Sequence, residues 1–105
     1  MFGKWISSIR RRRILVAKDK VESILDEAKY LVNGARGKNY GHPIEDFSKT
    51  AKMWSAILDT KVSPQDVGLC MVAVKLSREV NKHKRDNLVD IAGYALTVQM
   101  IEDYR

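Results

Sequence analysis

The segment that most constrains this chain is Ser63-Pro64-Gln65-Asp66 and the ten residues after it, of which only Lys75 is charged. Serine is a favoured N-cap, proline suits the first helical position, and an acid in the first turn complements the helix dipole. The spacing predicts a helix from about Pro64. Because Val67 to Leu76 is apolar nearly all round, that helix is expected to be buried at the centre. A helix buried on all sides needs other helices around it, and the rest of the chain supplies them.

Helix one is expected to begin at Asp19, where Asp19 and Glu22 form an Asp-x-x-Glu variant of the capping box. Val21, Ile24, Leu25, Ala28, Leu31 and Val32 continue at 3.6-residue spacing, and Asn33-Gly34 is expected to stop the helix. Asn33 to Pro43 has three glycines and no periodicity, which reads as a loop. Helix two opens near Pro43 with the stripe Ile44, Phe47, Ala51, Trp54, Ile57 and Leu58. Asn81 to Arg85 is a short polar connection. Helix four runs from about Asp86 to Asp103, with Val89, Ile91, Ala92, Ala95, Leu96 and Val98 expected inside. No alternating β-branched segment appears. Four helices with short loops are expected to form an all-α four-helix bundle.

At 105 residues there is room for one domain, and 45% hydrophobic content suits a packed core. A single cysteine, Cys70, rules out an intrachain disulfide and a CxxC-type zinc site; it is expected as an inert core residue. Met53 and Met71 are expected as core gap-fillers and Trp54 as a core anchor. His42 and His83 have no second histidine at ligand spacing. The uncharged apolar stretch Val67 to Val74 is far short of the roughly 20 residues that span a bilayer. A cytoplasmic setting is expected.

The net charge of +6 is not spread over the chain. Residues 1–20 carry seven basic side chains against Asp19 alone, while residues 21–105 carry 12 of each sign. This divides the chain into a basic N-terminal arm, residues 1–18, and a charge-balanced helical domain, residues 19–105. Arg10, Arg11, Arg12 and Arg13 can neutralise about four phosphates of DNA or RNA. Met1, Phe2, Trp5, Ile6 and Ile9 form an apolar face beside them that suits an anionic membrane surface. A solubilising tail is the third reading.

Two constellations carry candidate chemistry. Lys75 and Arg78 share a helical face, as do Asp86 and Asp90. An antiparallel hairpin would bring Lys75 level with Asp90, and Arg78 with about Asp86. These four form either mutual ion pairs, because buried charge needs a partner, or a pocket in which the cations grip phosphate and the aspartates hold Mg²⁺. The second constellation is the loop from Gly34 to His42. There Arg36 and Lys38 supply charge, Tyr40 can stack on a base or cover the core, and the following helix offers free N–H groups. An ordinary interhelical loop is the alternative.

Arg36, Tyr40-Gly41, Phe47, Ala51, Trp54, Lys75, Arg78 and the run Arg85-Asp86 through Asp90-Ile91-Ala92-Gly93-Tyr94 together resemble a family of small proteins encoded by tailed phages. That family lacks an assigned activity and is similar to the MazG-like all-α nucleoside triphosphate pyrophosphohydrolases. The resemblance covers about residues 21–101. It implies a nucleotide-handling, usually oligomeric helical fold, with Mg²⁺ held by Glu-x-x-Glu on one helix and Glu-x-x-Asp on the next. Asp90 matches the last acid. Asp86 is one residue out of register, Asn87 standing three before Asp90, and Lys75 and Arg78 stand where the other acids belong.

The function expected is therefore nucleotide binding in the cytoplasm of a phage-infected bacterium. It includes either hydrolysis or transfer of nucleotide phosphates, or sequestration of a nucleotide signal. Lys75, Arg78 and Arg36 would contact phosphates, Asp86 and Asp90 a metal, and Tyr40 or Tyr94 the base. The rival is a non-enzymatic interaction protein working through the arm on nucleic acid or the membrane surface. A homo-oligomer is expected in either case.

Overall fold

A computed structural model describes residues 23–36, 38 and 41–104. Four α-helices form the bundle, and no strand occurs among the described residues. They are α1 (Ile24–Tyr30), α2 (Pro43–Leu58), α3 (Pro64–Asn81) and α4 (Arg85–Asp103). The basic arm and the expected helix start at Asp19 lie outside the described residues. Within them, α1 is capped by Ser23, whose Oγ accepts the Asp26 N–H at 3.0 Å. The expected stop at Asn33-Gly34 is not used. The chain instead widens into a π-helical segment, Leu31–Arg36, that runs through both residues.

Helices α2 and α3 begin where their sequences say. His42 caps α2 by accepting the Ile44 N–H on Nδ1, and Pro43 takes the first helical position. The capping box of α3 is closed in both directions: Ser63 Oγ accepts the Asp66 N–H at 3.1 Å, and Asp66 Oδ2 accepts the Ser63 N–H at 3.0 Å. Those bonds, the backbone one first, hold the Asp66 carboxyl below its ordinary pKa.

The centre of the bundle is α4, not α3. Helix α4 packs against each of the other three, most extensively against α3, whereas among the described elements α3 packs chiefly against α2 and α4. One core cluster joins Phe47 and Ala51 of α2, Val67 of α3, and Tyr94 and Ile101 of α4, with Trp54 and Met71 packed against it. A second joins Ala28 and Leu31 to Val89, which attaches α1 to α4.

The expectation that α3 is buried all round is therefore corrected. With two neighbours it buries one face, Val67, Gly68 and Lys75, while Leu69, Leu76 and Val80 stay exposed, Val80 to 88%. Cys70 is likewise exposed rather than in the core. On α2, Met53, Ile57 and Leu58 are exposed rather than in the core, Met53 lying off the helix face that carries Phe47, Ala51 and Trp54. Ala95 also faces solvent on α4.

Helices α3 and α4 run antiparallel in a readable register. The Lys75–Asp90 pair marks one level, and Gln65 Nε2 donates to Glu102 Oε1 at 2.8 Å near the other end. Gly68 permits the close approach between them. A Cβ there would stand 2.4 Å from a methyl of Val98, inside any real contact.

Candidate phosphate-binding cleft

Four of the charged residues singled out in the sequence come to one end of the α3–α4 hairpin, but they separate into two groups. Lys75 Nζ lies 2.9 Å from Asp90 Oδ2, as the hairpin register predicts. Lys75 is 5% exposed and Asp90 3%, so this is a buried ion pair in the helix–helix interface. Neither group is presented to a ligand in solution. Lys75 is thus a structural partner of Asp90 rather than the phosphate contact expected of it.

Arg78 is different. The register that pairs Lys75 with Asp90 brings Arg78 level with Asn87, not Asp86. Arg78 is exposed, and Asn87 is buried beside it. Both line an open cleft of about 540 Å³ with Ser77, Asn81, Lys82 and Lys84. Three cations thus meet at the hairpin's connected end. Asp86 sits half-buried in the first turn of α4, outside the described lining.

Glu79 organises this end. Its Oε1 accepts the Lys84 backbone N–H at 2.9 Å and Asn87 Nδ2 at 3.2 Å, and its Oε2 pairs with His83 Nδ1. The His83 bond and then the Lys84 amide, with a lesser contribution from the Asn87 side chain, hold the Glu79 carboxyl below the usual glutamate pKa, partly offset by desolvation. The carboxylate thereby fixes the backbone at Lys84 and the side chain of Asn87. A neighbouring ion pair, Arg85 with the buried Glu27, ties the start of α4 to α1.

The remaining candidates fall elsewhere. Tyr94 is a core residue at 3% exposure, so its ring is not offered to a base. Tyr40, the Arg36 side chain, and Arg10 to Arg13 lie outside the described residues. A Mg²⁺ ion held by Asp86 and Asp90 does not fit. The Lys75 ammonium occupies Asp90 Oδ2, and among the described residues no three His, Cys, Asp or Glu side chains gather at a common point.

Lys82, Lys84, Ser77, Asn81 and Asn87 were not among the sequence candidates. The signal available was the basic run Lys82-His83-Lys84-Arg85 one turn beyond Arg78, which reads by itself as a polar connection.

The described fold coincides with the segment shared with other proteins. The family described as Domain of unknown function (DUF6378) matches residues 23–102, from the cap of α1 to the last turn of α4. The Gene 55 protein of Mycobacterium phage D29 is 43% identical over 81 residues, which is 76% of this chain and 54% of that protein. The Gene 55 protein of Mycobacterium phage L5 is 34% identical over 82 residues, 76% of this chain and 53% of its own length. The chain thus spans about half the length of these curated relatives. No solved structure matches it. No described helix is long and apolar enough to cross a membrane. With residues 23–102 of the 105-residue chain inside one family match, the chain belongs to the DUF6378 family, and it has relatives in two mycobacteriophages.

Proposed function

We propose that this chain recognises nucleotides by their phosphates inside a phage-infected bacterial cell. The observation that carries the reading is the convergence of Arg78, Lys82 and Lys84 on one cleft, beside an acid, Glu79, already engaged by its own donors. Guanidinium and ammonium groups are the usual protein partners of phosphate oxygens. The nucleotide itself comes from the MazG-like resemblance. Because Asp90 is committed to Lys75, the reading is binding, with sequestration of a nucleotide signal as its use, rather than metal-dependent hydrolysis. A nucleoside triphosphate is expected to raise the melting temperature of the full chain in a thermal-shift panel. Silence across the four ribonucleotide and four deoxyribonucleotide triphosphates would contradict the proposal.

Self-association belongs to the same proposal. Leu69, Ala73, Leu76 and Val80 follow at i, i+4, i+7 and i+11 on the open face of α3, a seam with no charge in it. Seams of this spacing pair with other helices. Light scattering at micromolar concentration is expected to report a mass of at least a dimer, and a monomer would contradict this part.

A further inference from the structure

We infer that the α3–α4 cleft takes a linked oligophosphate, read by its phosphate chain without a metal and without its base. This rests on the nucleotide-recognition reading and narrows it to a ligand class. Three features of the cleft lead there.

The first is charge. The described lining holds three cations and no carboxylate. None of the three side chains is engaged in an ion pair among the described residues. The carboxylates nearest in sequence are accounted for: Glu79 accepts from His83, Lys84 and Asn87, Asp90 holds Lys75, and Asp86 lies outside the described lining. A phosphate monoester carries about −1.5 to −2 charges, too few to engage all three cations, whereas two or three linked phosphates match them.

The second is spacing. Arg78 stands in the last turn of α3, Lys82 is the C-cap whose N–H bonds back to the Arg78 carbonyl, and Lys84 follows in the connection, its backbone fixed by Glu79. Cations strung along a cleft suit a chain of phosphates better than a single tetrahedral ion. A volume of about 540 Å³ accommodates such a chain and is small for a duplex.

The third is the neutral lining. Ser77, Asn81 and Asn87 add hydrogen-bonding groups, and no aromatic ring is among the described lining residues. Tyr94, the ring proposed for the base, is in the core. With no aromatic platform among the described lining residues, the phosphate chain rather than the base is the part this lining is suited to hold.

The test is calorimetry on the full chain in EDTA at low salt. Inorganic tripolyphosphate is expected to bind at least about tenfold more tightly than orthophosphate, with pyrophosphate between them. ATP, GTP, CTP and UTP should bind alike, and adenosine not at all. The variant Arg78→Gln/Lys82→Gln/Lys84→Gln should lose at least about tenfold in affinity for tripolyphosphate with its melting temperature unchanged, since all three side chains are exposed. The variant with Arg10 to Arg13 changed to glutamine should bind tripolyphosphate as the parent does.

Triphosphates that bind with base preference, or bind equally well to the triple variant, would overturn the inference while leaving nucleotide recognition standing. So would tripolyphosphate binding lost with the arm arginines, or binding that needs a polynucleotide. Absence of binding by every phosphate compound would remove both.

Discussion

Lys75→Met is expected to lower the unfolding free energy by about 3–5 kcal/mol, the usual cost of breaking a buried ion pair from one side. The reason lies in the interface. Asp90 is 3% exposed, and the ammonium 2.9 Å from its Oδ2 supplies the opposite charge there. Removing that ammonium takes from the buried carboxylate a charge partner that water cannot replace there. A domain of this size typically has about 5–15 kcal/mol in total, so the loss would be visible as a large fall in the urea midpoint. Pairing Lys75→Met with Asp90→Leu should recover much of it, because an apolar pair of similar volume no longer buries charge. Equal losses in the single and double variants would mean that the pair is not what holds the helices in register.

Phe47→Ala is expected to cost about 3–5 kcal/mol by a different route, lost burial plus the cavity left behind. Phe47 is 1% exposed and sits in the cluster that joins α2 to Val67 of α3 and to Tyr94 and Ile101 of α4. Its ring also faces Gly68, where a Cβ would stand 3.5 Å from Cε2, so three helices meet on it. Urea unfolding of the variant measures the effect. A change below about 1 kcal/mol would show that the site collapses around the truncation and that α2 is held by other contacts.

The helices were legible in the sequence where caps and stripes agree. Ser63-Pro64-Gln65-Asp66 marked α3 to the residue, and Pro43 marked α2. Burial was harder to read. Hydrophobicity suggested α3 as the central helix, but its apolar residues surround it while, among the described elements, chiefly two neighbours cover it. The true centre, α4, buries Asn87, Asp90, Gly93, Tyr94, Thr97 and Ile101 on its inner ridge, and the polar members hide that ridge from an apolar count. Their burial follows from partners that only the fold reveals: Glu79 for Asn87, Lys75 for Asp90, and the Gly93 carbonyl for Thr97.

The site was legible in part for a related reason. Antiparallel pairing about the polar connection was enough to bring Lys75 to Asp90. It was not enough to separate Lys75, inside the interface, from Arg78 at its mouth, because one turn of helix carries a side chain from burial to solvent. Nor could spacing show that Glu79 would fold the connection back so that Lys82 and Lys84 join Arg78. The π-helical widening through Asn33-Gly34 had no signal that distinguished it from a stop.

The charged cluster divides in two: Lys75 and Asp90 pair inside the hairpin, and Arg78, Lys82 and Lys84 line the open cleft proposed to take phosphate. The most direct measurement is the melting-temperature shift produced by inorganic tripolyphosphate in EDTA, taken on Lys75→Met/Asp90→Leu and on Arg78→Gln/Lys82→Gln/Lys84→Gln beside the parent chain. The account predicts that the first variant keeps the parent's shift and that the second loses it while melting, without ligand, where the parent melts. A shift abolished in the first variant and retained in the second would contradict the division and place the phosphate contact at Lys75.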